Sequence, residues 1–308
     1  MRYYQFTRDG AAHVGVETSG GALVDLTAVS PESSSVLTML KAAASWGRTI
    51  DQMAQWLVQQ HPGATMSVAA LVDASIAEAK GAGAGAGRMK LLPPVIAPEV
   101  WAAGVTYQDS MRERQAESGT PDLYAKVYAA DRPEVFFKAT AARLVGPFGP
   151  VGIRSDSTWD VPEPELTFVL FNGKIAGYTC GNDMSSRSIE GENALYLPQA
   201  KLYDRSCSIG PCFVSAESVA NPQSLRVQLT IERGGKQAFR GESNTSKMKR
   251  TCTDIADWLQ RHNPVPDGTA VLTGTSIVPP SSFTLKSGDV TRVEIEGIGT
   301  LVNTVVVV

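Results

Sequence analysis

Glu163-Pro164-Glu165 stands at the head of an apolar run, Leu166 to Leu170, and a second apolar run, Lys174 to Cys180, follows across Asn172-Gly173. Asn-Gly is the strongest short turn signal, so the two runs predict an antiparallel hairpin. Side chains at i and i+2 of a strand share a face, which aims the Glu163 and Glu165 carboxylates together. The second run ends in Gly181-Asn182-Asp183, and pairing of the strands brings Asp183 to a neighbouring position. Like charges packed that closely need a cation or a proton between them. The PEPEL run alone reads equally well as a solvated edge strand; the arrival of Asp183 from the second strand favours a cation. With carboxylates and no histidine or cysteine nearby, the ion expected is a hard divalent one, Mg2+ first, with Mn2+ or Ca2+ as substitutes. An open site of this kind suits a substrate that chelates through two oxygens, such as a 2-oxo acid, with the ion acting as a Lewis acid.

A length of 308 residues permits one large domain, or one with a smaller appendage. The formal net charge of -3, with acids and bases intermixed, argues against a nucleic-acid partner, which would need a basic stripe. The most basic run, Lys247-Met248-Lys249-Arg250, is short and reads as a solvated face beside a helix start. Cys180, Cys207, Cys212 and Cys252 lack paired CxxC spacing and read as inert thiols in a reducing compartment. The opening MRYYQFTRDG holds no long apolar segment, so no signal peptide is read there, and Val305 to Val308 is far too short to span a bilayer. The expectation is a cytoplasmic protein with no membrane partner.

From the N-terminus, Tyr3 to Phe6, His13 to Glu17 and Ala22 to Leu26 are strand-like runs broken by Asp9-Gly10 and Ser19-Gly20-Gly21. Helical spacing follows over 34–45 and 50–60, and an alanine-rich helix over 67–80. His13 and His61 are isolated, and structural roles suffice for both. Gly81 to Gly87 alternates glycine with alanine but lacks the preceding strand and following helix of a dinucleotide fingerprint. It is read as a linker that divides the chain into a small N-terminal α+β domain, 1–88, and a β-rich domain, 89–308. In the second part a strand, Val100 to Val105, leads into Thr106-Tyr107 and a polar helix, Gln108 to Glu117, where Ser110 and Glu113 lie three apart and share a face. Glu134, Phe136 and Lys138 share one side of the next strand, with Glu134 and Lys138 either a surface ion pair or part of a pocket. A hairpin around Gly234-Gly235, a helix over 253–262 capped near Thr253 or Asp254 with His262 at its end, and a strand from Ala270 into Gly274-Thr275 complete a fold that is mostly sheet.

Together these runs resemble the fumarylacetoacetate hydrolase superfamily. The likeness covers Leu92 to the C-terminus and rests on LLPPV, GVTY and its helix, FFKAT, the paired glutamates, GNDMSSR, the lysine of QAKLYD, SIGPC, LTGT, and GDV with VEIEGIGTLVNTV. The resemblance implies an α+β, β-rich fold: a mixed β-roll catalytic domain of the fumarylacetoacetase C-terminal type with a small N-terminal α+β domain. It implies Mg2+ or Mn2+ on Glu163, Glu165 and Asp183, a pocket lined by Lys201, Lys138, Arg187 and Thr275, and assembly as a homodimer or homotetramer. For Arg187 the alternative is a structural ion pair beside the carboxylates.

One departure bears on the chemistry. Hydrolytic members of the superfamily carry N-Y-x-x-H-x-x-E after the first strand, and here the matching run is Thr106-Tyr107-Gln108-Asp109-Ser110-Met111-Arg112-Glu113. Serine cannot serve as a general base near neutral pH, so hydrolysis loses its water activator and Ser110 becomes a substrate contact. The runs RPEVFFKAT and SSRSIEGENALYLPQAK look most like the branch that dehydrates 2-keto-3-deoxy sugar acids. That resemblance implies Mg2+-dependent conversion of a 2-keto-3-deoxypentonate to 2,5-dioxopentanoate through a metal-stabilised enolate. Lys201, held near the metal with a depressed pKa, would take the C3 proton and Glu134 would protonate the leaving hydroxyl, or the two would exchange roles. The alternatives are a C–C hydrolase of acylpyruvates or fumarylpyruvate using Glu113, an oxaloacetate decarboxylase, and a non-catalytic binding protein on the same fold.

Overall fold

The computed structural model describes residues 1–60, 66–81, 89–117 and 121–308. The expected hairpin forms from the strands Asp160–Phe171 and Lys174–Ser186. Asn172 and Gly173 adopt positive φ values of 48° and 70°, the pair of left-handed residues that lets a two-residue turn match the twist of its strands. Across the ladder Glu163 pairs with Asp183 and Glu165 with Gly181. Gly181 is required there by space: a Cβ at that position would lie 2.1 Å from Thr167 Oγ1.

The hairpin is central in a mixed sheet. Among the described residues its neighbours run from Ala11–Glu17 through Arg2–Arg8 and Cys207–Ser215 to the hairpin, then through Ala270–Leu272 and Glu99–Gly104 to Glu134–Thr140. A second sheet, ordered Lys236–Asn244, Arg226–Arg233, Val290–Ile295, Gly299–Val307 and Pro150–Ile153, packs against one face of the first. Strand alternation explains the layering. Leu166, Phe168 and Leu170 join Leu229, Ile231, Val293 and Ile295 in the core between the sheets. The intervening residues of the same strand point the other way. Val169, far along the strand, enters a separate core with Met39, Leu40, Met53 and Leu57 from the helices Val36–Ser45 and Ile50–Gln60. Glu163 and Glu165 occupy the near end of that same face, beyond the reach of those helices. The fold is α+β and β-rich, as the resemblance implies.

The first strand continues the catalytic sheet, because Arg2 and Tyr3 pair with Val214 and Phe213. The expected linker from 82 onward and His61 lie outside the described residues. His13 Nδ1 sits 3.0 Å from Asp25 Oδ2, a structural contact, and all four cysteines are buried and free. Three local expectations change. A helix at Pro121–Ala129 follows the polar helix and was not anticipated. The helix Cys252–Gln260 is capped by Thr251, whose side chain accepts from Asp254 N, so Thr253 and Asp254 lie inside its first turn. The basic run is not merely a solvated face: Lys249 and Arg250 donate to the carbonyls of Tyr128, Ala130 and Asp131. They thereby satisfy the groups that a helix C-terminus leaves without intrahelical partners. No helix among the described residues is long and apolar enough to cross a membrane.

Replacing Gly173 with alanine forces an L side chain into the left-handed turn. It is expected to lower unfolding free energy by about 1–2 kcal/mol, seen as a lower urea midpoint with an unchanged slope. An unmoved midpoint would contradict the role given to this turn.

Candidate metal centre and active site

Glu163, Glu165 and Asp183 each offer a carboxylate oxygen, and these oxygens lie within 4.8 Å of one another. None of the three side chains belongs to a residue more than 4% exposed. Buried charges persist only when paired or when they hold an ion, and the three are partnered very unequally. Arg187 Nη2 lies 3.0 Å and Arg114 Nη2 3.2 Å from Glu163 Oε1, while Lys201 Nζ is 2.7 Å from Oε2. Burial raises the Glu163 pKa, but Lys201, Arg187 and Arg114 outweigh it and hold the carboxyl well below the usual range. Asp183 accepts Lys138 Nζ at 2.5 Å on one oxygen and lies 3.3 Å from Lys201 Nζ on the other. Among the described residues no ion pair reaches Glu165, whose Oε2 accepts from the Gly274 amide at 2.6 Å. Burial, then Asp183 and Glu163, push its pKa well up.

The donor set fits a hard divalent cation. It is made of carboxylate oxygens converging on one point, and Glu165 is the member whose negative charge the surrounding lysines and arginines do not answer. Gly274 shapes the approach. Its φ is +91°, and a Cβ there would lie 2.0 Å from Thr106 Oγ1, so only glycine brings the amide to Glu165.

Above the carboxylates lies a small cavity lined by Ser110, Glu134, Lys201 and Thr275 among others. Glu134 lies flat on the neighbouring strand because Gly104 has no side chain: a Cβ there would meet Glu134 Oε2 at 2.1 Å. Burial, then Glu190, push the Glu134 carboxyl above its ordinary pKa, against Arg114 and Lys201. Glu134 is therefore a pocket residue and not the surface partner of Lys138.

Three sequence expectations shift. Lys138 and Arg187 do not line the cavity; Lys138 is fully buried behind Asp183 and also donates to the carbonyls of Met184 and Lys201. Lys138 holds Asp183 and Arg187 holds Glu163 in place, the ion-pair alternative already open for Arg187. Lys201 is held by the same carboxylates. Burial favours the neutral amine, but Asp183 and Glu163 overcome it and raise the pKa, with Ser185 Oγ a further neighbour at 2.6 Å. Glu113 is exposed and does not share the inner face with Ser110. The residue that does is Arg114, four positions after Ser110, bridging Glu163 and Glu190. Arg114 and Glu190 were missed. The i to i+4 spacing from Ser110 was the available signal for the first, and nothing local marked Glu190.

Because Glu165 keeps its proton above the ordinary carboxylate range, a divalent cation must displace that proton to bind. Mg2+ affinity is expected to fall as pH drops through the raised Glu165 pKa, by up to about tenfold per pH unit. Calorimetry in buffers of different ionisation enthalpy should show protons released on binding. Affinity that stays constant from about pH 8 to about pH 5 would contradict this.

Residues 99–306 match the family described as Fumarylacetoacetate (FAA) hydrolase C-terminal. The "Probable 2-keto-3-deoxyxylonate dehydratase" of Haloferax volcanii is 58% identical over 215 residues, which cover 70% of this chain and 74% of that protein. The 2-dehydro-3-deoxy-D-arabinonate dehydratase of Saccharolobus solfataricus is 45% identical over 223 residues, again 70% of this chain and 74% of that one. A solved structure of 2-keto-3-deoxy-D-arabinonate dehydratase complexed with magnesium and 2,5-dioxopentanoate superposes with a TM-score of 0.80 at 32% identity, covering 100% of this chain and 99% of the other. With its buried carboxylate cage on a central hairpin and a family match over most of its length, the chain belongs to the fumarylacetoacetate hydrolase family.

Proposed function

We propose that this chain is a Mg2+-dependent dehydratase that converts a 2-keto-3-deoxypentonate to 2,5-dioxopentanoate. The observation that carries the reading is the joining of a buried cage of carboxylates to Lys201 on one side and to Glu134 on the other, within one cavity. The similar dehydratases, one of them complexed with magnesium and 2,5-dioxopentanoate, support it.

Glu163, Glu165 and Asp183 hold the cation, which supplies Lewis-acid polarisation of the substrate's 2-oxo group. Lys201 takes a proton from C3. Its proton is held by Glu163 and Asp183; once those charges are neutralised, burial, which favours the neutral amine, becomes the dominant influence. Glu134, kept in its acid form by burial, protonates the hydroxyl leaving C4. The C3–H and C4–O bonds break, water departs, and a C3–C4 double bond forms. Loss of a proton from C5 and its return at C3 give an enol, which tautomerises to the C5 aldehyde. Substrate minus one water equals the product, so no oxidant is needed.

Hydrolysis of acylpyruvates is the weaker reading. Its water activator would be Glu113, which faces solvent, and Ser110 cannot replace a histidine base. A binding-only protein has no need to bury a complete set of acid, base and ion ligands. Residues 1–88 are taken as a small domain whose strand Arg2–Arg8 extends the sheet of 89–308 through Cys207–Ser215 and whose helices share a core with Val169 and Phe213. On the family resemblance the protein is a cytoplasmic homodimer or homotetramer, which sedimentation velocity checks.

Glu134→Gln is expected to lower kcat by about 10²–10⁴-fold while still exchanging the C3 hydrogens for deuterium in D2O. Lys201→Met is expected to lose both dehydration and exchange. Exchange surviving in Lys201→Met but absent from Glu134→Gln would reverse the two roles. In wild type, kcat/KM should decline as pH rises through the raised Glu134 pKa, because the ionised carboxylate has no proton to give.

A further inference from the structure

The dehydration proposed above leaves one polar group of its substrate without a partner. C1 and C2 are drawn to the carboxylate cage and the C4 hydroxyl to Glu134, but the C5 hydroxyl also enters the cavity. A hydroxyl buried without hydrogen bonds is penalised by about 1–3 kcal/mol. A wall that accepts this substrate must therefore offer a donor, an acceptor or both.

The wall built on the helix Gln108–Glu117 offers both. Ser110 is only 7% exposed, lines the cavity, and among the described residues its hydroxyl has no hydrogen-bond partner. By contrast Thr275, the other aliphatic hydroxyl on the wall, accepts from Ile277 N at 3.2 Å. One helical turn beyond Ser110, Arg114 spans from Glu163 to Glu190. Glu190 comes from the helix Arg187–Glu192, is 6% exposed and also lines the cavity. Arg114 fixes that carboxylate in place yet leaves it lone pairs to spare, since a carboxylate has about four acceptor positions. Glu190 and Glu134 line the same cavity, so Glu190 is available to the part of the substrate next to C4. Ser110, Arg114 and Glu190 thus form one continuous polar strip.

We propose that Ser110 and Glu190, the latter oriented by Arg114, form a subsite for the substrate's C5 hydroxyl and restrict the enzyme to 3-deoxy-2-oxo acids that end in an alcohol. An alcohol both donates and accepts: it accepts from the Ser110 hydroxyl and donates to the Glu190 carboxylate. A substrate ending in a methyl group leaves both side chains unsatisfied in a buried site, which is how a pocket built for a hydroxyl rejects the analogue without it. The inference rests on the dehydration reading, and its test separates the two.

Initial rates are measured on the Mg2+-loaded enzyme with 2-keto-3-deoxypentonate and with its 5-deoxy analogue, 2-oxo-4-hydroxypentanoate, by following loss of the C4 carbinol proton in NMR spectra. Wild type is expected to favour the hydroxylated compound by about 10–100-fold in kcat/KM, the range of a hydrogen bond to a charged group. Ser110→Ala is expected to shrink that preference about 3–10-fold and Glu190→Gln to shrink it further, with Glu190→Asp recovering part of it. A general loss of structure would lower both rates and leave their ratio alone. Equal kcat/KM for the two compounds in wild type, or a preference unchanged in Ser110→Ala, would overturn the subsite and leave the dehydration standing. Turnover of neither compound would remove both. If Glu190→Gln does not fold, the wild-type ratio and Ser110→Ala decide the matter.

Discussion

Three carboxylates buried within 4.8 Å of one another are the constraint from which the rest of this structure follows. Their mutual repulsion in a site of low dielectric is large, and burial adds to it by removing water. A rigid sheet is needed to hold them together, and the central hairpin supplies it, two of them at i and i+2 on one strand and the third opposite on its partner. The surrounding side chains then divide the problem. Arg114, Arg187, Lys201 and Lys138 answer Glu163 and Asp183, while Glu165 meets a single backbone amide. That imbalance is what suits the cage to a divalent cation rather than to a closed network of ion pairs.

The hairpin and its carboxylates were legible because their signals are local. Asn172-Gly173 forces a tight turn, strand alternation sets the faces, and the register follows once the turn is placed. Lys201 and Glu134 were legible through family resemblance. What escaped was long-range. Arg114 reads as one charge among several on a polar helix, and only the packing of that helix over the cavity turns it inward while Glu113 faces solvent. Glu190 gains its meaning from Arg114, a partner 76 residues earlier in the chain. The hold of the cage on Lys201 is long-range as well: burial alone lowers a lysine, and the two carboxylates that raise its pKa come from separate strands. The basic run at 247–250 looked solvated because the helix end it caps was itself unforeseen.

The same charges that hold the cage also arrange the chemistry. Lys201 touches both Glu163 and Asp183 and the cavity, so the proposed proton removal at C3 is tied to the state of the cage. Glu134 lies on a different strand and keeps its proton through burial and a neighbouring carboxylate. The proposed acid and base are thus separated by environment within one cavity, as opposed protonation roles demand. Where hydrolytic relatives place a histidine, Ser110 offers a hydroxyl with no basic character. On the proposed reading this wall recognises substrate and does not activate water.

The central claim is that Glu163, Glu165 and Asp183 jointly bind one divalent cation. Anomalous diffraction from crystals grown with Mn2+ tests it directly. The account predicts a single strong peak at about 2.0–2.2 Å from an oxygen of each of the three carboxylates, the range for small hard divalent ions. A Mn2+ peak elsewhere, or a fully soaked crystal with none between these residues, would contradict it.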